Sequence, residues 1–397
     1  MIKPRMLIVA IGVCIGAFCL AVRAETTDVI RIGVIGPFSG PYAASGKQYR
    51  QGIEMYVQEH GSKVNGRDVQ IIYRDVGGTS PAAAREIAQE LILKDKVSML
   101  GGFYLSPEAS AVSSVITETR TPTVLFGASS PQVIRQSPYF VRVAATMWTS
   151  GVIAAEYGHK RSAKTAYTIV SDYSAGRDIE DAFKQKFTAL GGRVIRSDRV
   201  PLNTVDYAAF AQRIADMKPD MVEMFLPAGT PAISFLKAMG DRGLLGGKLI
   251  VIGNNETDDP DLHLFPDSVI GTYTASNYAT GVGNNVNEKL KSDLIAKYGP
   301  EAVPNFSMVG AYNGMELFYR MIAAQKGTMW NPDAAMSAVI SYTWVSPSGP
   351  VKIGTDRNMT QNMFVRQVTK ENGKLVNSVV SESEGVPDPW AVANPVH

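Results

Sequence analysis

Short apolar runs alternate with longer amphipathic ones from Asp28 to about Ile252, the pattern of a parallel sheet with helices on its faces. The runs predict strands over 30–35, 69–73, 97–100, 123–126, 165–170, 193–200, 221–225 and 249–252. Helical periodicity fills the gaps. Within 81–93, Ala84, Ile87, Ala88, Leu91 and Ile92 recur at three- and four-residue spacing on one face. Ala182, Phe183, Lys186, Phe187 and Leu190 repeat the pattern more loosely. These units form two groups, one ending near Val143 and the next starting near Trp148, so two α/β lobes are expected. From 271 to 285 the chain is rich in Gly, Asn, Thr and Tyr with little periodicity, as for a crossing between lobes. Helices are expected at 286–297 and 307–324, strands at 351–353 and 362–368, then a peripheral polar tail with Pro387 and Pro389. Lobe 1 is thus assigned 28–143 with 275–356, lobe 2 144–274 with 357–390, and the tail 391–397.

The first residues change the picture. Lys3 and Arg5 precede an apolar run over 6–22, too short to span a bilayer, and Val22-Arg23-Ala24 offers small residues for cleavage. A secretory signal peptide over 1–24 is expected, and with it a periplasmic location. Both cysteines, Cys14 and Cys19, fall inside it, so the exported chain must rely on its cores rather than on disulfides. Losing Lys3, Arg5 and Arg23 leaves 36 basic side chains against 37 acidic ones. That balance, without a long basic run, argues against nucleic acid or an anionic membrane as partner.

Catalytic and cofactor motifs fail on spacing. Between Gly40 and Gly46-Lys47 lie five residues where a phosphate loop has four, and Gln48 replaces the metal-binding hydroxyl. Gly33, Gly36 and Gly40 miss the dinucleotide spacing. Asp172 stands where a nucleophile elbow around Ser174 needs glycine. His60, His159, His263 and His397 form no paired metal spacing, so neither a metal nor a cofactor is expected. Asp258, Asp259 and Asp261 lack the glycine and terminal glutamate of a calcium loop and read as a solvated acidic turn.

Two places read better. Gly101-Gly102-Phe103-Tyr104-Leu105-Ser106-Pro107 follows one strand and Gly127-Ala128-Ser129-Ser130-Pro131 the next. In each, serine before proline predicts a capped helix start at the carboxyl end of a parallel strand. Open α/β sheets bind ligands there, and helix N-termini favour a carboxylate. Tyr42, Phe103, Tyr104 and Tyr173 are candidates to wall an apolar ligand body.

Arg31-Ile-Gly-Val-Ile-Gly-Pro-Phe-Ser-Gly-Pro, with Gly46 beyond it, resembles the opening of the leucine/isoleucine/valine-binding proteins of bacterial ABC transporters. The likeness continues in order through Val64-Asn-Gly-Arg-Asp-Val, Asp75, Thr121-Pro-Thr and Gly127-Ala-Ser-Ser-Pro. It extends through Ser171-Asp-Tyr-Ser-Ala-Gly176, Lys218-Pro-Asp220, Ser346-Pro-Ser-Gly-Pro350 and Gln361-Asn-Met-Phe-Val. The resemblance implies a type I periplasmic-binding fold: two Rossmann-like lobes with parallel sheets, joined by three hinge crossovers and closing on a ligand. It implies no enzyme, a monomer, a small carboxylate ligand of the branched-chain amino-acid type and delivery to a membrane permease. The two capped helix ends at Ser106 and Ser129 would hold the ligand carboxylate, the Gly127 carbonyl and Ser129 hydroxyl would accept from its ammonium, and either Asn255 or Glu256 would be the second-lobe partner of the ammonium. Ser45 and Ala228 stand where the family has aromatic residues, which leaves room for an aromatic acid instead. A periplasmic sensor and a hydrolase using Ser174 are the rival readings.

Overall fold

The computed structural model describes residues 29–78, 80–326 and 329–395; the signal peptide expected over 1–24 lies outside them. The first sheet contains β1 (Val29–Gly36), β2 (Lys63–Val64), β3 (Arg67–Asp75), β4 (Met99–Gly102), β5 (Thr123–Leu125) and β6 (Phe140–Arg142) in the order β2-β3-β1-β4-β5-β6. All of its pairs are parallel except β2 with β3. The two-residue period of β1 sends Ile30, Ile32 and Val34 to one core and Ile35 to the other. Helices α1 (Ala43–His60), α2 (Pro81–Leu93) and α3 (Ser106–Thr119) follow β1, β3 and β4 in the chain. Ala84, Ala88 and Leu91 of α2 meet Val112 and Ile116 of α3 on the Ile35 side. Both faces are covered, which is why the strands read as continuous apolar runs.

The second lobe repeats this grammar with α4 (Met147–Lys160), β7 (Thr165–Ser171), α5 (Ser174–Ala189), β8 (Arg193–Val200), α6 (Ala208–Met217), β9 (Met221–Phe225), α7 (Thr230–Gly240), β10 (Ile250–Gly253) and β11 (Tyr273–Ser276). Strands β8-β7-β9-β10-β11 lie parallel in that order. The chain then gives α8 (Asn285–Tyr298), α9 (Phe306–Ala323) and α10 (Pro332–Val339), whose Leu290, Phe318 and Ala335 join the first lobe's core. A hairpin of β12 (Thr343–Ser346) and β13 (Gly349–Ile353) leads into β14 (Met359–Glu371). The start of β14 pairs with β13 and its later part runs antiparallel to β11, so a single strand ties the hairpin to the second sheet. β15 (Lys374–Val386) and α11 (Pro389–Ala393) close the chain.

Four expectations need correction. The stretch expected as an aperiodic crossing contains β11, whose Thr274 and Ser276 are buried because Arg366 of β14 and Asn255 bond them. The polar tail holds a 13-residue strand, β15, and Asp388 is buried with its carboxylate accepting from Thr146 at 2.8 Å. Asp258 is not solvated; it is buried and paired to Arg366 at 2.9 Å. The strand expected at 97–100 is shifted to Met99–Gly102, since Lys96 takes a positive φ of 55° and the Val97 amide donates to the Leu91 carbonyl at the end of α2.

Candidate ligand-binding site

In the first sheet β1 lies between β3 and β4, and in the second β7 lies between β8 and β9, so strand order reverses at both. Parallel sheets leave a crevice at such points, outside the carboxyl ends of the strands. The two crevices face each other and enclose a cavity with about 640 Å³ of empty volume. Almost every lining residue sits just past a strand: Tyr104 and Leu105 after β4, Gly127 and Ser129 after β5, Ala144 and Ala145 after β6. From the second lobe come Tyr173 after β7, Leu226 to Ala228 after β9, Asn254 to Glu256 after β10 and Asn277 after β11. Rings of Tyr104, Phe126, Tyr173, Phe225 and Phe306 line it from both sides, and no Lys, Arg or His does. The lobes also touch directly, for the Ser130 hydroxyl donates to the Asp178 carboxylate on α5.

The predicted serine caps are arranged differently. α3 begins at Ser106 itself with Leu105 in the cap position, and the Ser106 hydroxyl accepts the amides of Ser129 at 3.1 Å and Ser130 at 2.9 Å. It therefore fixes the second loop and does not line the cavity. The second serine start leads to a short 3-10 turn, Pro131–Gln136, with Ser130 before it and no side-chain cap bond. Ser129 is consequently free of capping duty and lines the cavity. The N-terminus of α3 is served by a residue the sequence reading passed over. Glu108 reaches back so that one carboxyl oxygen accepts the Leu105 amide at 3.3 Å, while the other has no partner. Burial pushes the Glu108 carboxyl up to about 7, against the lowering effect of the Leu105 and Tyr104 amides. The Tyr49 hydroxyl, also buried without a partner, would stand 2.6 Å from a Cβ placed on Gly127.

On the second lobe, Glu256 turns back on the backbone and accepts the amides of Leu226 at 3.1 Å and of Asn254. Burial raises its carboxyl to about 7, with those amides lowering it. The Asn255 oxygen accepts from the Ser276 hydroxyl and from Arg366 at 3.4 Å. Arg366 is wholly buried; it also donates to Thr274 at 3.0 Å and to the Tyr278 carbonyl at 3.1 Å. Behind Phe225, Glu223 is buried with neither carboxyl oxygen partnered, and burial holds it far above the usual carboxylate range. Among the described residues no group of three His, Cys, Asp or Glu could hold a metal, and no helix is long and apolar enough to cross a membrane.

Of the residues singled out from the sequence, Tyr104, Gly127, Ser129, Tyr173, Asn255 and Glu256 line the cavity, and both alternatives for the second-lobe partner face it. Ser106, Phe103 and Tyr42 do not. Phe103 is a core side chain beside Leu100 and Val112, because its φ of 61° turns it from the cavity. Tyr42 packs behind Tyr104 with ring centroids 5.5 Å apart. Ser174 starts α5 and does not line the cavity. Phe126, Phe225 and Asn254 are strand-end residues that the carboxyl-end rule would have found had it been applied to every strand rather than to two loops. Phe306 and Met147 open helices and carried no such signal.

Two facing parallel sheets with a cavity between them at their carboxyl ends define a two-lobed protein that captures a small ligand. The chain belongs to the periplasmic binding protein family, whose model matches residues 29–374. It is 37% identical over 378 residues to the Leu/Ile/Val-binding protein homolog 6 of Brucella melitensis, covering 94% of this chain and 97% of that one. A solute-binding protein of an ABC transporter from Rhodopseudomonas palustris HaA2, solved in complex with p-hydroxybenzoic acid, shares 38% identity and a TM-score of 0.88, covering 92% of this chain and 100% of that one. A second such protein, from R. palustris BisB5 in complex with 3,4-dihydroxybenzoic acid, shares 33% identity and a TM-score of 0.86, over 91% and 99% of the two chains. The resemblance and fold class read from the sequence agree with these findings, and the protein is a periplasmic binding protein of the ABC-transporter type.

Proposed function

We propose that the protein captures a benzoate-type aromatic acid between its lobes and delivers it to a membrane permease. The observation that carries this reading is the cavity wall: aromatic rings from both lobes surround a space whose polar groups, Ser129, Asn254, Asn255, Glu256 and Asn277, are few. Burying one ring there contributes about 2–3 kcal/mol, while the polar groups fix orientation. The ligands of the two R. palustris proteins support it. Amino-acid capture is the second reading, favoured by Glu256 lining the cavity and by the Brucella relative. An ammonium would need the Glu256 carboxylate, which is already held by two backbone amides. Titration calorimetry with 4-hydroxybenzoate and leucine decides between them: the aromatic acid should bind at least about tenfold tighter, and the reverse order overturns the assignment.

Replacing Ser129 by Ala removes the first-lobe hydroxyl at the cavity wall and should weaken a carboxylate ligand by roughly 1–3 kcal/mol. Unchanged affinity in the same titration would remove Ser129 from the site. The proposal includes signal-peptide cleavage after Ala24, a periplasmic monomer, and lobes of 28–143 with 275–356 and 144–274 with 357–390. Differential contacts in the closed form, such as Ser130 to Asp178, would favour closure once ligand fills the cavity. A pull-down from membranes separates permease delivery from a sensor role.

A further inference from the structure

We propose that Glu108 couples ligand capture to a proton: it must be neutral when a carboxylate is held in the cavity, which makes it a positioning residue that sets specificity for the anion. This rests on the reading that the ligand carries a carboxylate. Glu108 is fully buried, and the two residues whose amides face it, Tyr104 and Leu105, are themselves cavity wall. Its carboxyl thus lies one backbone layer behind the ligand. One oxygen accepts the Leu105 amide at 3.3 Å, the Tyr104 amide also faces the carboxyl, and the other oxygen has no partner, a poorly solvated state for an anion.

Among the described residues no cation offsets its burial; only the Leu105 and Tyr104 amides do. Tyr42 and Tyr49 from the α1 side and Tyr173 from the start of α5 sense Glu108, and burial raises the titration of all three, so they are uncharged. α2 and the Pro131–Gln136 turn present Ala84, Ala88, Leu91, Val133 and Ile134. α5 also brings Asp178, an acid engaged by Ser130, and the second lobe brings Glu256. Of the two wholly buried arginines among the described residues, Arg142 donates to the Ser130 carbonyl at 2.9 Å in the field of Asp178 and Asp388, and Arg366 is committed to Asp258. A ligand carboxylate entering this uncompensated region drives the nearest poorly bonded acid to its neutral form. Glu256 is the less apt acceptor of that proton, since both of its oxygens receive N–H bonds that favour the charged form. Glu108 has an oxygen to spare.

The sign follows. With Glu108 titrating near 7 in the free protein, it is already neutral at pH 6 and binding there takes up no proton. Above that range each captured anion must bring one. Calorimetry of the wild-type chain with 4-hydroxybenzoate in phosphate and in Tris should show affinity level near pH 6 and falling about tenfold per pH unit towards pH 9, with about one proton taken up per ligand at pH 8. Glu108→Gln keeps an acceptor for the Leu105 amide, so it should fold, bind with affinity independent of pH, and at pH 8 bind roughly tenfold tighter than wild type. Glu223→Gln, at a buried acid away from the cavity wall, should keep the wild-type slope. Binding without proton uptake in the wild type, or a slope that persists in Glu108→Gln, overturns the inference. Absence of binding at every pH instead overturns the ligand class, and the inference with it.

Discussion

Replacing Arg366 by Ala is expected to cost about 3–5 kcal/mol of folding stability, the scale of removing one partner of a buried ion pair. The guanidinium is completely buried on β14 and joins Asp258 at 2.9 Å with Asp259 at 3.7 Å. It also holds Thr274 of β11, the Tyr278 carbonyl and Asn255. Its removal leaves Asp258 buried without a cation and unties β14 from β11 where the second sheet meets the cavity. Urea unfolding monitored by circular dichroism gives the loss directly, and a change under about 1 kcal/mol would show that the pair is not structurally coupled. Asp258→Asn added to Arg366→Ala should recover part of the loss, because the second change neutralises the orphaned charge. Ligand affinity should fall in the single variant as well, since Asn255 loses a donor that fixes it at the cavity wall.

Arg366 also shows where sequence reading stopped. Apolar runs on β1, β7, β9 and β10 are buried on both faces, so their chemistry alone specifies them, and the fold class follows from their alternation with helices. Thr272 to Asn277 is as deeply buried, but Thr274 and Asn277 are satisfied by Arg366 and Gln361, 92 and 84 positions away, and Ser276 by Asn255, 21 positions away. A window of a dozen residues cannot contain those partners, so the segment reads as loop. β15 fails for a different reason: it pairs only with β14, and Asn377 is its one buried position, so no run of core apolar residues marks it. At the site, local grammar placed the loops but not the roles of their side chains. Serine before proline marked both helix starts, yet the Ser106 hydroxyl serves Ser129 and Ser130 across the sheet, and Glu108 takes the place at the helix end. Which side chain satisfies a helix terminus depends on what lies opposite, and that is decided by tertiary packing.

Gly102→Ala should have the second large effect, near 3 kcal/mol, combining left-handed strain of about 1–2 with overpacking of about 1–3 kcal/mol. Gly102 ends β4 with φ of 107°, and an added Cβ would overlap the Ile35 carbonyl oxygen and stand 3.0 Å from its carbonyl carbon. Those are backbone atoms of β1, so relief requires β1 and β4 to part at the carboxyl end where the cavity opens. Tyr104 and Leu105, two residues on, would move with the strand, and ligand affinity should fall together with stability. Gly66→Ala separates the two causes: Gly66 has φ of 78° but nothing within 4 Å of an added Cβ, so only strain remains and about 1 kcal/mol is expected. Equal losses in the two variants would mean that contact between β1 and β4 does not matter. A larger loss at Gly102, accompanied by weaker binding, would tie the close approach of these strands to the shape of the site, because the same missing Cβ that lets β4 lie against β1 sets where Tyr104 meets the ligand.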